Sequence, residues 1–292
     1  MTKNSGDGGF PRNIAIGLTA GEYIYFMDSD DILLENALET FHKLSKDFEA
    51  DVFHFEKYYE ASGETVTTDK SILKERAIRE TDFVNKPTFF TENLAERVRI
   101  FSANRFGWTP WSFFIRRDFL IKNPIRFPSD VCLEDGIFGF YLICVAGKIL
   151  VTPDIIYVWR YRENSMCHGF FKPYERMFKR AESIFRTIYL LDEFMNKFEL
   201  FKKSPEYKYA VFELFTAMNI DAINLNEFYS KIQPQQIDEL IRREIEKQEN
   251  PTAALAFIFN RMNIFNVRIN QQQQIIFQQQ QLINQLQARL QK

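Results

Sequence analysis

Tyr23-Ile24-Tyr25-Phe26-Met27-Asp28-Ser29-Asp30-Asp31 joins an apolar run directly to three carboxylates. The apolar half reads as a buried strand, and Ile32-Leu33-Leu34 opens a new element straight after the acids. Open α/β sheets bind ligands at the C-terminal ends of their strands. Hard cations take oxygen ligands, and Mg²⁺ typically combines one or two carboxylates with the phosphates of a substrate. The stretch therefore predicts an α/β fold and a metal-assisted, phosphate-handling site at Asp28, Asp30 and Asp31. Helix capping is the competing reading, since Ser and Asp are favoured N-caps and first-turn acids suit the helix dipole. An EF-hand loop is excluded: Ile32 stands where its third ligand should be, and no glycine follows.

On either side of this stretch the pattern is legible in pieces. Residues 1–11 read as a loop and 12–20 as a short helix. Leu34, Ala37, Leu38, Phe41 and Leu44 recur at helical spacing, which predicts an amphipathic helix to about Ser45. Asp51-Val52-Phe53-His54-Phe55 is a second strand, with Tyr58-Tyr59 as its extension. The polar stretch 65–90 gives no clear pattern. A helix is expected over 91–104 and another over 136–146. Ile149-Leu150-Val151 and Ile155-Ile156-Tyr157-Val158-Trp159 read as two strands split by Pro153. From Lys172 onward the spacing is helical.

Composition narrows the function. The chain has 292 residues, a net charge of −2 and 46% hydrophobic residues, with 31 phenylalanines that predict an aromatic core. Without a basic excess, nucleic acid is not expected as the main partner. Cys132, Cys144 and Cys167 lack metal-type spacing, and a sparse, odd set suggests a reducing compartment. The polar, glycine-rich start is no signal peptide. The longest apolar stretch, Gly136 to Gly147, falls short of the ~20 residues of a spanning helix. A cytoplasmic chain that could rest on the inner face of a membrane is the expectation.

Three further segments carry candidate chemistry. Glu134-Asp135 precedes the apolar helix at 136–146, either as a cap or as a general base whose ionised form the helix dipole favours. Arg160, Arg162 and His168 lie in a polar loop after Trp159, either as solvated surface or as a lid that meets phosphate or metal. Trp108, Pro110 and Trp111 are either core or pocket wall.

Taken in order, these residues resemble family 2 glycosyltransferases. Arg12-Asn13 followed by Gly21-Glu22-Tyr23-Ile24 and Asp28-Ser29-Asp30-Asp31 is similar to that family's Arg-Asn, Gly-Glu-Tyr-Ile and Asp-Ser-Asp-Asp series. Trp111 to Leu120, Glu134-Asp135 with Phe138, and Tyr157 to Ser165 are similar to its later blocks, so the resemblance covers roughly residues 9–170. Ala15 stands where the family usually has glycine. The resemblance implies a GT-A-like α/β fold and a metal-dependent, inverting enzyme of the hexosyltransferase type. That enzyme would move a sugar from a nucleotide-sugar to a saccharide or lipid-linked saccharide, in bacterial surface polysaccharide synthesis. Asp28 and Asp30 would hold Mn²⁺ or Mg²⁺, with His168 as a further metal ligand. Asp135 would be the catalytic base. Arg12, Asn13, Asp28, Trp111, Glu134 and Arg162 would bind substrate. The resemblance also implies that the strand-helix-strand portion usually found ahead of the Arg-Asn block is lacking. The expected nucleotide-binding sheet is therefore truncated, and a catalytically inactive, self-associating or partner-binding chain is the alternative.

The expected organisation is a GT-A-like domain over 1–170, a helical region over 171–260 and a Gln-rich tail over 261–292. In the tail, Met262, Ile269, Ile276, Ile283 and Leu290 are spaced by sevens, which suggests a coiled coil and a homo-oligomer. The glutamine runs between them suggest low complexity instead.

Overall fold

The computed structural model describes residues 8–62, 66–79, 84–161 and 174–221, parts of 233–246, and 274–281. Among these residues seven strands form one mixed sheet: β1 (Tyr23–Tyr25), β2 (Ile32–Leu33), β3 (Val52–Ala61), β4 (Lys74–Ala77), β5 (Thr88–Phe89), β6 (Phe113–Arg116) and β7 (Ile149–Arg160). The sheet runs β1-β6-β3-β7-β2, with β4 added to β3 and β5 to β7. β3 and β7 lie parallel at its centre, and the other pairings are antiparallel. Val52-Phe53-His54-Phe55 is buried on both faces, as a continuous apolar run in a central strand should be.

Pro153 does not split the last strand, contrary to the sequence reading. Pairing passes from Phe55↔Thr152 to Lys57↔Ile155, so β7 holds one residue more than β3 across this step. The extra residue is a bulge. Pro153 sits within it, where its missing N–H breaks no ladder bond.

The first helix, α1 (Gly9–Leu18), begins earlier than the sequence pattern suggests. Pro11 is tolerated because its missing N–H falls among the first-turn donors that have no partner within a helix. Helix α2 (Ala37–Asp47) buries Ala37, Phe41 and Leu44 against the sheet, and the Phe41 ring stacks on Phe114 at 3.8 Å. Its N-cap is Asn36, and β2 intervenes, so Asp28 to Asp31 cap no helix.

Helix α3 (Leu94–Ser102) is capped by Asn93, whose side chain accepts from the Glu96 N–H at 3.1 Å. A 3-10 turn at Pro110–Ser112 leads into β6, and the short helix α4 (Arg117–Lys122) follows it. Helix α5 (Glu134–Val145) is apolar on nearly every side and is buried accordingly. Gly139 lies so close to Trp108 that a Cβ there would come within 2.6 Å of its Cβ. Helices α6 (Tyr174–Met195), α7 (Glu199–Lys203) and α8 (Glu206–Asp221) follow. α8 packs against both α3 and α6.

Residues 1–244 form one compact unit and 245–292 a second. Within the second, residues 274–281 are helical with Ile275, Ile276 and Phe277 exposed. The other heptad positions, Met262, Ile269, Ile283 and Leu290, lie outside the described residues.

Candidate active site

The acid-rich segment is a turn at the end of β1. The Asp31 N–H donates to the Asp28 carbonyl at 3.2 Å, which closes the four residues. Its acids face different ways. Asp31 points inward: its carboxylate accepts from the Tyr157 hydroxyl at 2.6 Å and from the Arg160 N–H at 2.8 Å. Burial pushes its carboxyl up to about 6, against these two hydrogen bonds. The Arg160 guanidinium donates to the Asp30 carbonyl at 3.0 Å, which ties the turn to the end of β7. Trp111 is buried, and its ring stacks at 4.6 Å on Tyr157, whose hydroxyl reaches the turn.

Asp28 faces outward and meets α1. Arg12 Nη2 donates to Asp28 Oδ1 at 2.8 Å, and Nη1 of the same guanidinium donates to Asp135 Oδ1 at 2.6 Å. The first turn of α5 thereby joins the end of β1 at one cation. Leu133 makes this approach possible. It caps α5 in the left-handed region at φ 65°, an uncommon conformation for a leucine, and the chain turns sharply into Glu134-Asp135.

Charge is balanced closely here. Burial works against the Arg12 cation, but Asp135, Asp28 and Glu134 more than compensate and leave it above its ordinary value. Burial pushes the Asp135 carboxyl well above the usual carboxylate range, Arg12 opposes this, and Glu134 and Asp28 add to it. A third of the Asp135 side chain, 33%, still reaches solvent.

Asn13 is engaged by the protein backbone. Its amide donates to the Phe127 carbonyl at 2.8 Å and accepts the Phe127 N–H at 2.9 Å. Arg162 and His168 lie outside the described residues. Sequence reasoning therefore named Arg12, Asp28 and Asp135, which meet. It placed Tyr157 in a strand and in a block of the resemblance without a role, and it did not name Phe127; neither side chain carries a local signal for what it will touch.

Among the described residues no three His, Cys, Asp or Glu side chains converge as a metal cage. The donor set at the turn, Asp28 and Asp30, suits a hard cation that brings its remaining oxygen ligands from a bound diphosphate.

No known protein-family model matches the chain. Over 158 residues it is 31% identical to the poly(ribitol-phosphate) beta-N-acetylglucosaminyltransferase TarP of Staphylococcus aureus, covering 54% of this chain and 42% of that protein. Over 189 residues it is 30% identical to a poly(ribitol-phosphate) beta-glucosyltransferase of Bacillus spizizenii, covering 64% of this chain and 26% of that protein. The chain thus spans less than half the length of either relative. Its sequence relatives are glycosyltransferases. The fold agrees: the crystal structure of S. aureus TarS 1–349 superposes with a TM-score of 0.52 at 18% identity, over 83% of this chain and 60% of that one. The same TarS fragment in complex with UDP-GlcNAc gives a TM-score of 0.51 at 21% identity.

Proposed function

We propose that this chain transfers a sugar from a nucleotide-sugar to an acceptor hydroxyl, with inversion, in the building of a bacterial surface polysaccharide. The observation that carries the reading is the meeting of Asp28 and Asp135, distant in sequence, at the Arg12 guanidinium beside the end of a sheet strand. The glycosyltransferase relatives and the UDP-GlcNAc complex of TarS support a nucleotide-sugar donor.

Asp135 is the base in this reading. Its carboxylate takes the proton of the acceptor hydroxyl. The freed oxygen forms a bond to the anomeric carbon as the bond from that carbon to the diphosphate breaks. The nucleoside diphosphate leaves with the bonding electrons. Asp28 and Asp30 would hold Mn²⁺ or Mg²⁺ against the diphosphate, and when bound the cation supplies charge neutralisation for the leaving group. Arg162 and His168, which lie outside the described residues, are expected at the same diphosphate in this reading. Glu134, Trp111 and Asn13 complete the proposed substrate-binding set. Asn13 would act through its hold on Phe127, and Trp111 through Tyr157.

Among the described residues no helix is long and apolar enough to cross a membrane. Work at the inner membrane face and self-association through residues 261–292 belong to this proposal. Unchanged mass by light scattering after removal of that tail would refute the latter.

A second reading keeps the fold without turnover. Among the described residues β1 ends the sheet with β6 beside it, and Phe10, Ile14 and Leu18 stand exposed along one side of α1. Such a surface suits a chain that binds a partner. Titration calorimetry with UDP and UDP-sugars, with and without Mn²⁺, separates the two. Metal-dependent donor binding is expected under the first reading. No heat with any nucleoside diphosphate would leave the second.

A further inference from the structure

Arg12 occupies an unfavourable place for a cation. It sits at the N-terminal end of α5, where unpaired N–H groups already concentrate positive charge. Dipole and burial both disfavour it there, so the acids must hold it in place. The surrounding chain is shaped to the same end. A Cβ on Gly8 would come within 3.1 Å of Arg12 Nη1, and one on Gly9 within 2.9 Å of the Phe127 Cβ. Asn13 pins α1 to Phe127 through two hydrogen bonds, and the Arg12 guanidinium lies 5.3 Å from the centre of that ring. A planar guanidinium presents several N–H groups in a fixed fork, so it can serve two carboxylates at once, which an ammonium cannot do equally.

We propose that Arg12 is a positioning residue that couples the donor end of the site to the base, because one guanidinium is shared between Asp28 and Asp135. This rests on the glycosyltransferase reading for its meaning but not for its measurement. Whatever engages Asp28 changes the share of the Arg12 charge left for Asp135. A ligand that engaged Asp28 would weaken the Asp28–Arg12 bond and leave more of the guanidinium to Asp135. The base is then held as a carboxylate with one oxygen on Arg12 and the other open to an acceptor hydroxyl. Asp135 is faced by Arg12 from α1, by Asp28 from the turn after β1 and by Glu134 from its own helix.

The test is the protonation midpoint of Asp135 in the full chain. It is read from aspartate ¹³C carboxyl shifts, with the signal assigned by its loss in Asp135→Asn. Arg12→Met is expected to move the midpoint up by roughly one to three pH units, the range for losing an opposite charge at this distance. Asp28→Asn is expected to move it down, because the guanidinium then serves Asp135 alone. In the Arg12→Met background the Asp28→Asn shift should fall to less than half its wild-type size. Arg12→Lys gives a second, milder variant: its midpoint should lie between wild type and Arg12→Met, and its response to Asp28→Asn should also be reduced. An unmoved midpoint in both Arg12 variants, or an equal Asp28→Asn shift in all backgrounds, would overturn the coupling. Donor calorimetry on the same samples stands apart. Loss of all nucleotide binding in the wild type would remove the glycosyltransferase reading and leave the Arg12 result intact.

Discussion

The two ends of α5 each hold an arginine, buried at one end and half-buried at the other, for opposite reasons. At the C-terminal end Arg97, from α3, is 3% exposed and donates only to carbonyls: Thr91, Ile143 and Ala146, and Gly147 at 3.0 Å. Helix C-terminal carbonyls lack partners within the helix, and a cation there also suits the dipole. At the N-terminal end Arg12 opposes the dipole and donates to the carboxylates of Asp28 and Asp135. The first arginine completes a structure. The second belongs to a set of charges that includes Asp28 and Asp135. What each arginine bonds to, carbonyls for Arg97 and carboxylates for Arg12, separates the two.

The largest expected effect is at the N-terminal end and on rate. Asp135→Asn should lower sugar transfer by roughly 10²- to 10⁴-fold, a barrier increase of about 3–5 kcal/mol, while donor affinity by calorimetry stays near wild type. Loss of donor binding instead would contradict its role as base. The pH dependence follows in sign. The carboxyl is raised to about 7, so activity should climb as pH rises and the proton leaves, well beyond the ordinary aspartate range near about 3.9. A rate already flat above pH 5 would remove Asp135 from the proton transfer.

At the other end, Arg97→Met should act on stability instead. It strands several buried carbonyls, and a loss of about 3 kcal/mol is expected in urea unfolding. A loss below about 1 kcal/mol would show that water or other donors replace the arginine readily.

Tyr157→Phe probes the layer beneath the turn. It should weaken the fold by about 1–2 kcal/mol through the lost bond to Asp31. The deficit should grow as pH rises through about 6, where Asp31 sheds its proton and most needs the donor. A deficit that does not change between pH 4 and pH 8 would contradict this.

Smallest is Glu199→Ala on α7, which breaks ion pairs to Lys202 and Lys203 that face solvent. Its effect should stay within about 0.5 kcal/mol, and a larger one would show that exposed pairs matter here as much as Arg97.

The sequence carried the site further than the sheet. Periodicity of 3.6 marked α2 and the start of the helical region, since Phe41, Leu44, Ile188 and Leu191 meet the core wherever their helices lie. The short strands β4 and β5 gave no signal. Lys74 to Ala77 is polar, and its strand exists because β3 offers it an edge. Pro153 misled for the same reason: whether a proline breaks a strand depends on the neighbour's register. Arg97 did leave a trace, as an arginine four residues before Phe101 on the apolar side of α3, but the trace does not name its partners.

By itself the sequence determined that Asp28, Asp30 and Asp31 follow a strand and that Glu134-Asp135 open a helix, although the strand is shorter than the apolar run and only half-buried. Those facts are local, set by side-chain type and spacing along a few turns of chain. Only the tertiary structure decided which acids face solvent and which face the core. Asp31 turns inward because β7 brings Tyr157 and the Arg160 N–H beneath it. Asp28 and Asp135 meet because α1 lays Arg12 between them. A carboxylate's role depends on its partners within about 4 Å, and those partners arrive from distant parts of the chain.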